Sequence, residues 1–157
     1  SKQGFYDDAN LAIDYVINTK NIKEENITFW AVSLGGTIAI KMAEKFNIRA
    51  IIFEGVMTSI EDVIYDMNYF RYDLIPINFI LKYDFNTMES LENIDKPMLV
   101  FHSIHDQVVP FKHADIIYES IKNKNKNLIK LDGNHQNAHF ISYDKYRKNL
   151  ELFIEGL

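Results

Sequence analysis

Ile27-Thr28-Phe29-Trp30-Ala31-Val32-Ser33-Leu34-Gly35-Gly36 is the stretch that decides the fold. The run Ile27–Val32 is rich in β-branched and aromatic residues and predicts a short buried strand. Gly35 and Gly36 then open a helix to about Phe46, with Ile38, Ala39, Met42, Ala43 and Phe46 on one face. Ser33 falls between strand end and helix start, on a turn sharp enough to push its hydroxyl out at the carboxyl edge of a sheet. The two backbones pass closely there, so small residues are needed two before and two after. Ala31 and Gly35 meet that need. The N–H of Leu34 lies at the helix N-terminus, where unpaired donors and the helix dipole favour negative charge. It would form half of an oxyanion hole. The bland alternative is an ordinary strand-to-helix turn that happens to contain a serine; the surrounding strand–turn–helix pattern favours the nucleophile.

Working outward, residues 5–18 place Phe5, Ala9, Ala12, Ile13, Val16 and Ile17 at helical spacing, with Asp7 and Asp8 in the first turn. Residues 21–26 form a polar connector. Arg49–Phe53 is almost continuously apolar, as a strand covered on both faces would be. Ile60–Phe85 is irregular, aromatic and interrupted by Pro76, and 56–90 reads as a cap or insertion. Further strands are predicted at Pro97–His102 and Asn127–Leu131, and helices at Phe111–Ile121 and Phe140–Glu155. Alternating strands and helices predict an α/β domain: one parallel sheet of about four strands with flanking helices. Ligands bind such sheets beyond the carboxyl ends of the strands, so the informative positions follow Val32, Phe53, His102 and Leu131.

A nucleophilic serine needs a base, and the base needs an orienting acid. Asp106 follows the third strand and His135 the fourth, each on a loop. Taken singly, Asp106 could be a helix-start residue and His135 a surface histidine. Three such loops on one edge, in the chain order Ser, Asp, His, point to a triad. Glu54, ending the second strand, is the fallback acid, and Asp132 a weaker one. His102 reads as a strand-end residue and His105 as local loop chemistry; a metal site made with Asp106 ranks low for want of further ligands. His113 and His139 lie on or beside helices and take no role.

The 157 residues fit one domain, and 47% hydrophobic with 25% charged residues is ordinary globular composition. A net charge of −5 without a basic block argues against a nucleic-acid surface. The lack of cysteine excludes disulfides and thiolate chemistry. No apolar run reaches the length of a membrane span, and the start at Ser1 has no apolar leader, so a cytoplasmic location is expected. Lys122–Asn127 reads as a solvated connector. No cofactor is expected.

These residues together resemble the α/β-hydrolase superfamily, in particular its small serine hydrolases. Gly4–Ala9 resembles the helix before the nucleophile strand, Trp30–Gly36 the nucleophile elbow, Lys96–Pro110 the acid segment and Gly133-Asn134-His135 the histidine loop. The resemblance implies a serine hydrolase acting on a small acyl ester, thioester or amide, with Ser33 as nucleophile, His135 as base and Asp106 as acid. Ala31 stands where the family has glycine, and Ser103 replaces the glycine before the acid, which would reshape that loop. The family's N-terminal strands, and the loop that gives the second oxyanion N–H, have no counterpart before Ser1. The expectation is therefore a truncated fold, a fragment or one part of an assembly. The Ile27–Val32 edge would pair with a missing N-terminal segment or a second copy in a homo-oligomer. The competing functional reading is an inactive hydrolase-like binding module; a Rossmann-like nucleotide domain is disfavoured because Gly35-Gly36 is no G-x-G-x-x-G cradle.

Overall fold

The computed structural model describes residues 1–66 and 85–157. Helix α1 spans Lys2–Asp14 and continues as a π-helical turn over Tyr15–Thr19. Strand β1 (Thr28–Val32) leads into α2 (Gly35–Ala43), and β2 (Ala50–Glu54) into α3 (Ile60–Asp66). The short α4 (Met88–Leu91) precedes β3 (Met98–Ser103), followed by α5 (Lys112–Ser120) and β4 (Lys126–Leu131). Two final helices, α6 (Ala138–Ile141) and α7 (Tyr143–Glu155), complete the chain.

The strands form one parallel sheet in the order β1-β2-β3-β4. This is the expected α/β architecture. Side chains alternate between the faces, as the strand period requires. Ile51, Phe53, Met98 and Val100 pack with Ile40 and Ala43 of α2 and with Ala114 and Ile117 of α5. Ala50, Ile52, Leu99 and Phe101 pack with Tyr146 and Phe153 of α7. Both faces of β2 and β3 are thus covered, which is why their sequences are apolar without interruption.

The Ile27–Val32 run, which by its own residues reads as a buried strand, lies at the sheet edge that the family resemblance implied: Trp30 is 50% and Val32 54% exposed, and among the described residues no strand pairs with the outer side of β1. The structure departs from the sequence reading in two further places. The first helix starts earlier because the Ser1 hydroxyl caps it at the Gly4 N–H, so Asp7 and Asp8 lie beyond its first turn. The final helix is broken at Ser142, whose hydroxyl accepts from the Asp132 N–H at 2.8 Å instead of capping α7. Of the expected cap, residues 67–84 lie outside the described residues.

Candidate active site

Because all four strands are parallel, their carboxyl ends share one edge, and the loops that leave them can meet there. Ser33 follows β1 with φ +51, a left-handed conformation that costs a serine about 1–2 kcal/mol. Its N–H donates to the Glu54 carbonyl at 2.9 Å, and its own carbonyl accepts from the Gly36 N–H at 3.1 Å. These bonds hold the strained turn. The close approach foreseen at this elbow falls on Gly36: a Cβ there would lie 2.1 Å from Val56 Cγ1, whereas one on Gly35 would meet open space.

The structure brings the three sequence-derived side chains together. Ser33 Oγ lies 3.1 Å from His135 Nε2, and His135 Nδ1 lies 2.7 Å from Asp106 Oδ2. The other carboxylate oxygen of Asp106 accepts from the N–H groups of Val108 and Val109, both at 2.8 Å. Burial opposes ionisation of Asp106, but the hydrogen bonds from His135, Val109 and Val108 outweigh it and hold the carboxyl below its ordinary pKa. An ionised Asp106 can only accept, so His135 donates from Nδ1 and presents its Nε2 lone pair to the serine hydroxyl. That hydrogen bond to Asp106 raises the His135 pKa; burial opposes the shift, and the charges of Asp106 and Glu54 add to it. The arrangement can take a proton from Ser33 and stabilise the resulting imidazolium. Leu34 stands at the N-terminal end of α2, where its N–H was expected.

The alternatives are engaged elsewhere. Glu54 accepts from the Tyr146 hydroxyl at 2.9 Å and lies 3.1 Å from His139 Nδ1. Asp132 is exposed and faces the equally exposed His105 across 3.8 Å. His102 is buried at the end of β3 and donates from Nε2 to the Val109 carbonyl at 2.8 Å, bracing the acid loop. Burial holds its pKa down, so this bond belongs to the neutral ring. His113, read as a plain helix residue, is fully buried: Nδ1 faces the Thr58 hydroxyl at 2.8 Å and the Thr58 N–H at 3.3 Å. It fixes the loop after β2. Among the described residues no cluster of His, Asp and Glu is arranged to hold a metal ion.

One residue of the site, Gly55, escaped the sequence reading, and another, Ser103, was read only in part. Gly55 has φ +58, and a Cβ there would sit 3.1 Å from His135 Cε1, so the imidazole rests directly on bare backbone. A glycine immediately after a predicted strand end was the available signal. Ser103 does not merely reshape its loop: its hydroxyl donates to the Gly133 carbonyl at 2.5 Å and accepts from the His105 N–H at 3.0 Å, tying the acid loop to the histidine loop. An open cavity of about 730 Å³ beside His135 is lined by Trp30, Val32, Glu54, Gln136, His139 and Tyr146.

Similarity to known proteins bears on the family and the fold. A putative alpha/beta hydrolase of Acanthamoeba polyphaga mimivirus is 31% identical over 125 residues, covering 79% of this chain and 44% of that protein. The uncharacterized protein YfhR of Escherichia coli O157:H7 is 25% identical, over 98% of this chain and 54% of its own length. The chain spans about half the length of the curated relatives it matches. An esterase of Pyrococcus furiosus superposes with a TM-score of 0.75 at 17% identity, over 94% of this chain and 60% of that one, and shares its fold. With the α/β-hydrolase fold in place and residues 1–154 matching the sequence model of the prolyl oligopeptidase family, the chain belongs to that family.

Proposed function

We propose that the chain carries the catalytic centre of a serine hydrolase that cleaves a carboxylic ester, thioester or amide through an acyl-enzyme. The observation that carries this reading is the unbroken line of contacts from Ser33 Oγ through His135 to Asp106. Ser33 Oγ attacks the acyl carbon while His135 Nε2 takes its proton. The tetrahedral oxyanion is met by the Leu34 N–H. His135 then returns the proton to the leaving group, and water, activated by the same ring, releases the acid. Asp106 keeps the imidazole in the required tautomer.

The substrate is a small acyl compound, and residues 56–90 are proposed to cap it. In support, Met57, Val63 and Val109 cluster against Leu34 and Ile60, beside the nucleophile. One oxyanion donor is worth on the order of 10²–10³ in rate, so the second matters. The outer edge of β1, unpaired among the described residues and flanked by an apolar groove of about 360 Å³ between α1 and α2, supports pairing with a further strand, from an adjoining segment or a second copy. A loop following that strand would bring the second N–H. The cytoplasm remains the expected location from sequence.

Turnover of p-nitrophenyl esters, a thioester and a p-nitroanilide tests the reading. Ser33→Ala should lower it by roughly 10⁴-fold. Unchanged ester hydrolysis in that variant refutes the mechanism; no turnover by folded wild-type protein favours a hydrolase-like binding module.

A further inference from the structure

The cavity beside His135 contains a carboxylate, Glu54, that the steps above do not use. Glu54 is the last residue of β2, paired in register with Val32, and it directly precedes the Gly55 on which the imidazole rests. Its side chain is only 16% exposed. One oxygen accepts from Tyr146 of α7 and the other faces His139 of α6. Tyr146 is itself fixed, its ring 4.2 Å from that of Phe101 between centroids. Glu54 therefore joins the end of β2 to both helices that follow the histidine loop.

We propose that Glu54 is a positioning residue for His135, anchoring the Gly55 turn on which the imidazole rests and setting a second negative charge in the cavity the ring faces. The proposal rests on His135 acting as the base. The groups around the ring are Asp106 from the β3–α5 loop, His102 from β3, Glu54 from β2, His139 from α6 and Tyr146 from α7. Burial, with the nearby Glu54 charge and hydrogen bond, holds the Tyr146 phenol well above its ordinary pKa, so it remains a donor to Glu54. The Asp106 carboxylate already serves three donors. A separate carboxylate lets the site favour the imidazolium without loosening the Asp106 contact.

The test is an NMR titration of the histidine rings in the full chain, with the His135 signal assigned by His135→Ala. Glu54→Gln keeps an acceptor for Tyr146 but removes the charge. It should lower the His135 midpoint by roughly 0.5–1 pH unit. Asp106→Asn should lower it further. An unmoved midpoint in Glu54→Gln beside a moved one in Asp106→Asn overturns the role of Glu54 alone; an unmoved midpoint in Asp106→Asn overturns the triad beneath it. Should Glu54→Gln fail to fold, the carboxyl carbon of Glu54 in the wild-type chain is the readout. It should show an inflection at the His135 midpoint that disappears in His135→Ala, and its absence overturns the proposal.

Discussion

Gly36→Ala pits helix propensity against packing at the elbow, and the two predict opposite signs. Gly36 lies in the first turn of α2, where alanine would improve the helix by about 1 kcal/mol on propensity alone. The added Cβ, however, would stand 2.1, 2.7 and 2.9 Å from Cγ1, Cγ2 and Cβ of Val56, where ordinary contact begins near 3.4 Å. Rotating the valine exchanges one clashing methyl for the other and leaves its Cβ in place. Val56 is 1% exposed and belongs to the core cluster that includes Ile40 and Phe53, so it has little room to retreat. Overpacking costs about 1–3 kcal/mol in such cores, and this overlap belongs at or above the upper end. The expected net loss is about 2 kcal/mol, a Tm lower by roughly 4–8 °C for a chain of this length. Urea unfolding of Gly36→Ala, Val56→Ala and the double variant measures it. Val56→Ala removes both methyls, so the cycle should show a favourable coupling of about 1–2 kcal/mol. A Gly36→Ala protein as stable as wild type, or more stable, would refute the packing argument.

In the proposed mechanism the neutral His135 ring is the base, and its pKa is raised first by the Asp106 hydrogen bond, with burial opposing. Hydrolysis should therefore fall, as pH drops, through a midpoint above the ordinary value of about 6.5, and that midpoint should move down in Asp106→Asn; a limb at or below 6.5 in wild type contradicts this. Asp106 has the opposite sign: its lowered pKa contributes stability that is present above the ordinary aspartate pKa and lost as pH falls through the lowered one. Asp106→Asn should flatten the acid side of the stability curve measured by urea unfolding, and an unchanged slope would contradict the linkage. His113→Leu leaves the buried N–H and hydroxyl of Thr58 without their imidazole partner and should cost about 1–3 kcal/mol in urea unfolding, against an unchanged midpoint if His113 were a plain helix residue.

The strand cores were legible because burial on both faces forces an uninterrupted apolar run, as in Ala50–Phe53. Ser33, Asp106 and His135 were legible because parallel strands bring successive carboxyl-end loops to one edge, so chain order alone places them together. The edge position of β1 was legible through the family resemblance and not through its own residues: Trp30 and Val32 look like core residues in sequence, and the pairing order leaves them half exposed. The bracing of the site was illegible for another reason. Gly55 against His135, Ser103 to Gly133 and His113 to Thr58 are contacts between distant segments: a glycine after a strand end marks a special backbone position, but no local pattern names the partner it meets. Glu54 shows the same limit: its place at a strand end made it a candidate acid, but which histidine it faces depends on where α6 and α7 settle.

The central claim is that Ser33 is activated through His135 and Asp106. Labelling with a fluorophosphonate probe, read by peptide mass spectrometry, tests it most directly and requires no knowledge of the substrate. One probe per chain should appear on the peptide that contains Ser33, with the labelling rate lower by roughly 10³-fold or more in His135→Ala and in Asp106→Asn. Probe on a different residue, or Ser33 labelled as quickly in folded His135→Ala as in wild type, would contradict the account.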